Sequence, residues 1–352
     1  MQLFLLFQSL IFYLSIYIFY KKAQKKINYK ILIIAILFLC FEPTIIQFNS
    51  SFLTESIYFS FLILLLSLLI DFKKNIITNI GIGLLIGIMY LQRSLSLYLI
   101  FPIIIYYIFC FKNLSFVLKS IFFIAIGQMV ILIFLGYSNF KRAEIFYIIP
   151  WQTKFAMYHY MADDLVSKAN KIDSKEAKKK RINEKKILIE NNKIDLDNEK
   201  DRRKLYNYYQ EYFFEKFKTY PYEGIKIVIW KSLQTSILDP GFVYSSIHKD
   251  NTIKKYWEIN GLFKLREQIV YSLIIYLFSF IGFIYYLKKK DNLTILLFLL
   301  IGLYHISVLG WIGVSRYSVP SLICISLFFA NGVFSIKLFH EKNNFNSLFK
   351  RK

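Results

Sequence analysis

Residues 116–136 read FVLKSIFFIAIGQMVILIFLG, a run that carries a single charge, Lys119. A helix rises 1.5 Å per residue, so such a run is about 30 Å long, the thickness of the hydrocarbon core of a bilayer. A helix apolar on every side needs an apolar surrounding on every side. Eight more apolar blocks appear on reading outward from it: 2–20, 31–48, 52–70, 76–91, 95–111, 269–287, 293–309 and 317–339. The blocks at 76–91 and 95–111 are short, which suits tilted or partly re-entrant helices. Over all 352 residues the hydrophobic share is 56% and the charged share 19%, with a mean hydropathy of +0.43. That balance excludes a soluble enzyme, a disordered chain and a secreted disulfide scaffold. Cys40, Cys110 and Cys324 all lie in apolar runs and read as small buried hydrophobes. The expected fold class is all-α, a polytopic transmembrane helical bundle with one long outer loop.

The net charge of +22 does not indicate nucleic acid as a partner. The basic residues lie mostly between apolar blocks and in one long loop. Lys21, Lys22, Lys25, Lys26 and Lys30 follow the first block, Lys73 and Lys74 the third, and Lys112 and Lys119 the fifth. Lys288, Lys289 and Lys290 follow the seventh, and Lys337, Lys342, Lys350, Arg351 and Lys352 close the chain. If every block crosses, these positions share one side, and the positive-inside rule makes that side cytoplasmic. Glu42, Arg93, the loop after residue 136 and the loop before Arg316 then face outward. In this orientation Met1 starts outside with no basic residue before the first block, so an upstream span and outer loop are expected.

Four segments follow: amino-terminal transmembrane helices over 1–136, an outer helical loop over 137–221, an interfacial segment over 222–268, and carboxy-terminal transmembrane helices over 269–339. The middle of the loop, 167–204, is crowded with Lys, Glu, Asp and Asn and reads as exposed helices with ion pairs at helical spacing. Its ends are aromatic, with Trp151, Phe155, Tyr158, His159 and Tyr160 on one side and Tyr206, Tyr208, Tyr209, Tyr212, Phe213, Phe214 and Phe217 on the other. Such side chains favour the headgroup layer, which is where these are expected. Residues 222–245 read as an interfacial helix stopped by Asp239-Pro240-Gly241.

The polar residues at outer block ends are the chemical candidates. Glu42 precedes Pro43, and Glu55 opens the third block. A carboxylate at the edge of hydrocarbon is costly unless paired, hydrated or functional, and one there can act as a base or orient a hydroxyl. The plainer role for Glu55 is to complement the start of its helix. Arg93, in LQRS, and Arg316, in SRYSVP, have the planar fork that suits a phosphate; either can also simply snorkel. His305 fits a packed neutral histidine better than a ligand. Asp163 and Asp164 follow His159 without metal-ligand spacing. No cofactor is implied by a motif; a divalent metal fits the acidic outer elements by charge alone.

Three segments carry a resemblance. FEPTIIQFNSSFLTESIYFSFLILL, GIGLLIGIMYLQRSLSLYLIFPIII and SRYSVPSLICISLFFANG resemble, in that order, segments of the C-type (GT-C fold) integral-membrane glycosyltransferase superfamily, in particular its mannosyltransferase-like and arabinose-transferase-like branches. The resemblance covers residues 1 to about 337 and is weakest in the long loop. It implies a GT-C bundle in a bacterial inner membrane and a sugar donor linked to polyprenyl phosphate. The acceptor would be a lipid, glycan or protein, with membrane lipids as surroundings. Glu55 matches the family's second acidic position. Arg93 matches the arginine of a Thr-Arg-Pro-like turn, although Gln92 and Ser94 replace its neighbours. Arg316, Tyr317 and Pro320 match the carboxy-terminal motif. The first outer loop, which holds the family's principal catalytic carboxylate, has no counterpart here, because the first block already resembles the family's second span.

The expected activity is transfer of a sugar from a polyprenyl-phosphate carrier to an acceptor on the outer face, with Glu55 and Glu42 as catalytic carboxylates and Arg93, Arg316, Tyr317 and His305 binding substrate. Two alternatives stand beside it. A transporter or flippase would place polar breaks at mid-membrane in paired repeats, a symmetry the sequence lacks. A polysaccharide polymerase or ligase would also handle lipid-linked sugars.

Overall fold

The computed structural model describes residues 2–49, 54–72, 75–148, 154, 157–236, 261–287, 292–310 and 319–349. Every regular element among them is helical. Helices α1 (Gln2–Ala23), α2 (Tyr29–Phe41), α3 (Pro43–Asn49), α4 (Thr54–Ile70), α5 (Ile76–Gln92), α6 (Ile100–Cys110) and α7 (Leu114–Ala143) come first. Next are α8 (Asp163–Asn170), α9 (Ser174–Asn191), α10 (Glu199–Thr219) and α11 (Pro221–Ser236). The last three are α12 (Gly261–Leu287), α13 (Asn292–Gly310) and α14 (Val319–Phe349). Each of the nine apolar blocks is helical within the described residues. Among the described residues, four helices are long and apolar enough to cross a membrane: Leu3–Ala23, Leu114–Arg142, Ile269–Leu287 and Val319–Ile336. Five more apolar helices are shorter. The chain is thus an all-α, multi-pass membrane protein.

Local chemistry sets the breaks. Asn28 caps α2 by accepting from the Lys30 N–H, and Asn75 caps α5 by accepting from the Thr78 N–H at 2.7 Å. The block read as one span over 31–48 is two helices. Pro43 disfavours the helical backbone for the residue before it, and Glu42 is extended (φ −64°, ψ 121°). Proline is well placed as the first residue of α3. The block at 95–111 is likewise composite, a 3-10 turn over Ser94–Leu99 leading into α6.

The described residues fall into two compact units: Met1–Met129 with Ser236–Ile306 and Ser315–Lys352, and Val130–Thr235 with Ser307–Val314. In the first, Phe12, Leu32, Tyr58, Leu62, Leu66, Ile86, Leu99, Phe298 and Leu322 form part of one buried core. Its outer faces are apolar too, as at Leu3, Leu6, Leu10 and Phe101, the pattern of a bundle that lipid covers. Small residues allow the closest crossings. A Cβ at Gly282 of α12 would overlap the Phe328 carbonyl of α14, and one at Gly83 of α5 the Ile124 carbonyl of α7. Asn331 Nδ2 donates to the Gly282 carbonyl at 2.7 Å. At the far ends of α1 and α4, Lys22 pairs with Asp71 at 2.6 Å.

The second unit has its own small core of Tyr158, Met161, Leu165, Leu205, Tyr209, Tyr212, Phe213 and Ile227. This corrects the expected placing in the headgroup layer for most of the described aromatics, although Phe214 stays exposed. Tyr158, Tyr209, Tyr212 and Phe213 are buried against one another, because in so polar a stretch they are the main apolar material available for a core. Ion pairs at helical spacing do form on its surface, Lys180 with Glu176 and Lys204 with Asp201. Trp151, Phe155, the side chains of His159 and Tyr160, and the Asp239-Pro240-Gly241 stop lie outside the described residues.

Candidate functional site

The start of α4 and the end of α5 meet at one end of the first unit. Glu55 lies in the first turn of α4. Arg93 is the extended residue that stops α5, and its N–H still bonds the Met89 carbonyl at 2.9 Å. This backbone geometry turns its side chain to Glu55, and Arg93 Nη2 reaches Glu55 Oε1 at 2.6 Å. The two side chains are 8% and 7% exposed. Two charges so far from water hold together only when paired and hydrogen-bonded.

Tyr58, one turn along α4 from Glu55, extends the site. Its ring lies 5.8 Å from the Arg93 guanidinium carbon, and its hydroxyl is 2.8 Å from His305 Nε2. His305 Nδ1 is 2.7 Å from the Ile301 carbonyl. A carbonyl only accepts, so Nδ1 carries the hydrogen. An imidazole with its hydrogen on Nδ1 accepts at Nε2, so the Tyr58 hydroxyl donates there. Beside it, the Tyr304 hydroxyl donates to the Leu95 carbonyl, fastening α13 to the 3-10 turn that follows Arg93.

Glu42 has its own partners. Its Oε2 accepts from the Ile45 N–H at 2.7 Å, so it caps α3 with Pro43 in the first helical position. Its Oε1 accepts from the Thr44 hydroxyl at 2.8 Å and from the Tyr271 hydroxyl of α12 at 2.7 Å. The structure therefore brings Glu55, Arg93 and His305 together through Tyr58, while Glu42 links α3 to α12. Pro320 is buried near the start of α14. Arg316 and Tyr317 lie outside the described residues.

Sequence reading missed Tyr58 and Tyr271. For Tyr58 there was a signal: a polar side chain three residues after Glu55 falls on the same helix face. For Tyr271 there was none, because its partner is 229 residues away. Reading also missed the buried pair of the second unit. Arg181 Nε and Nη2 meet Asp163 Oδ1 and Oδ2 at 2.5 and 2.9 Å, with the guanidinium 4.5 Å from the Tyr158 ring centre. An arginine closing a run of three lysines was its one trace, since only arginine forms this fork. Around it, burial raises the Tyr209 phenol to about 12, and burial followed by Arg181 lowers the Lys185 ammonium.

Among the described residues no three His, Cys, Asp or Glu side chains are grouped to hold a metal ion. No protein-family model, curated protein or solved structure matches this chain.

Proposed function

We propose that this protein is a membrane glycosyltransferase of GT-C type that moves a sugar from a polyprenyl-phosphate carrier to a lipid, glycan or protein acceptor at the outer face of a bacterial inner membrane. The observation that carries the reading is the buried Glu55–Arg93 pair at 2.6 Å, at the helix ends where the sequence resemblance assigns a carboxylate and a phosphate-binding arginine. In this mechanism the acceptor hydroxyl gives its proton to Glu55 and attacks the anomeric carbon. The bond from that carbon to the phosphate oxygen breaks, and its electron pair leaves with the lipid phosphate. Arg93, drawn from Glu55 by the phosphate, stabilises that charge. Tyr58 and His305 hold the site in register. Glu42 is the second carboxylate of the reading, and Arg316 with Tyr317 completes donor binding.

The test uses full-length protein in membranes, with polyprenyl-phosphate sugars as donors. Wild type should consume donor and release lipid phosphate. The double variant Glu55→Gln/Arg93→Gln, which leaves no unpaired charge, should keep its melting temperature and lose turnover. Normal turnover in that variant would reduce the pair to a clasp between helices. Movement of lipid-linked sugar across the bilayer with no bond cleaved would favour a flippase.

A further inference from the structure

Helix α11 has two apolar faces. One belongs to the core of the second unit: Ile227 is buried there, Val228 packs beside it, and Gly224 lies against the Phe217 ring. Lys231 fixes the same side by pairing with Asp164 of α8 at 2.7 Å. The other face exposes Tyr222, Ile225, Ile229, Trp230 and Leu233, each more than half exposed. At 100° per residue these five side chains fall in one stripe, an arc of about 140°, which also contains Lys226, whose ammonium folds back over the Tyr222 ring.

Two observations say what covers that stripe. The second unit already contains the end of the membrane-length helix Leu114–Arg142, which exposes Val130, Ile133, Phe134, Tyr137 and Phe140. The unit is thus tethered at a bilayer. The stripes on α1 and α7 also finish in one device. Lys21 lies 5.6 Å over the Tyr17 ring near the end of α1, and Lys141 lies 4.9 Å over Tyr137 near the end of α7. A lysine four residues after an exposed tyrosine suits the water–lipid boundary: the ring sits at headgroup level and the ammonium snorkels outward. Helix α11 repeats the device, with Lys226 4.1 Å over Tyr222.

We infer that α11 is the edge by which the second unit lies in the bilayer interface, with Ile225, Ile229, Trp230 and Leu233 entering the headgroup–acyl boundary and Tyr222 with Lys226 marking its polar rim. The occupant of the stripe is lipid. Because the opposite face is part of the unit's core, insertion holds the whole folded unit against the membrane.

Trp230 is the built-in probe. Full-length protein is reconstituted in nanodiscs of phosphatidylglycerol and phosphatidylcholine with or without brominated acyl chains, and the fluorescence removed by Trp230→Phe is isolated by difference. That component should be blue-shifted, lose most of its intensity with brominated lipid and resist aqueous acrylamide. Quenching by acrylamide without quenching by brominated lipid would overturn the proposal, because the face would be in water. Quenching by neither would also overturn it, because protein would cover the stripe. Ile229→Trp in the Trp230→Phe background gives a second reading one residue away and should behave alike.

Discussion

Tyr58 and His305 are 247 residues apart in the chain and share a hydrogen bond of 2.8 Å in the core of the first unit. The bond has a direction, set by the Ile301 carbonyl on the other side of the imidazole. It joins α4 to α13 and fixes the ring that lies beside the Arg93 guanidinium. Part of the candidate site is therefore held by a helix from the far end of the sequence.

Tyr58→Phe should cost roughly 1–3 kcal/mol, because Nε2 of His305 is then left buried without its donor. Adding His305→Leu should recover part of the loss, since both polar groups are then gone. Thermal unfolding in detergent, compared across the two single variants and the double, measures it. A single variant as stable as wild type would mean that water replaces the hydroxyl.

Glu55→Gln should be more damaging than Tyr58→Phe. Removing one partner of a buried ion pair typically costs about 3–5 kcal/mol, whereas replacing both is far milder. The single variant should thus melt lower than Glu55→Gln/Arg93→Gln, the reverse of additive behaviour. Additive losses would show that the two charges do not depend on each other.

Two glycines in one helix should respond in opposite ways. Gly81 has open space where a Cβ would point, whereas at Gly83 the Cβ would meet the backbone of Ile124. Gly81→Ala should be neutral or stabilising by about 0.5–1 kcal/mol, from helix propensity alone. Gly83→Ala should force α5 and α7 apart and cost about 1–3 kcal/mol. Melting temperatures in one detergent decide it.

The second unit should lose stability between about pH 10 and 12. The Tyr209 phenol is raised from 10.0 to about 12 by burial. Between those values the folded state holds a proton that the unfolded state has released, so stability is full below pH 10 and falls as pH rises. Tyr209→Phe should flatten this decline, followed by alkaline melts of the full chain. An unchanged slope would assign the decline to Tyr158 or Tyr212.

The all-α membrane class was legible in the sequence because it rests on composition and run length: a stretch such as 116–136 has no stable place except in apolar surroundings. Most of the helix outline was legible too, but the break at Pro43, a local steric effect, was not read, because 31–48 is apolar enough on both sides of it to pass for one span. Glu55, Arg93 and His305 stood out because polar side chains are costly at the edges of apolar runs. Sequence could not say that Arg93 meets Glu55, that Tyr58 meets His305, or that Tyr271 meets Glu42. These are contacts between helices far apart in the chain, and packing alone brings them together. The aromatic ends of the long loop show the same limit. Tyr158 and Trp230 are both amphipathic, yet one is stacked at 4.1 Å on Tyr209 in a core and the other lies exposed on α11. An aromatic side chain buries equally well against protein or lipid, so its type fixes the need for burial and only the tertiary structure decides the partner.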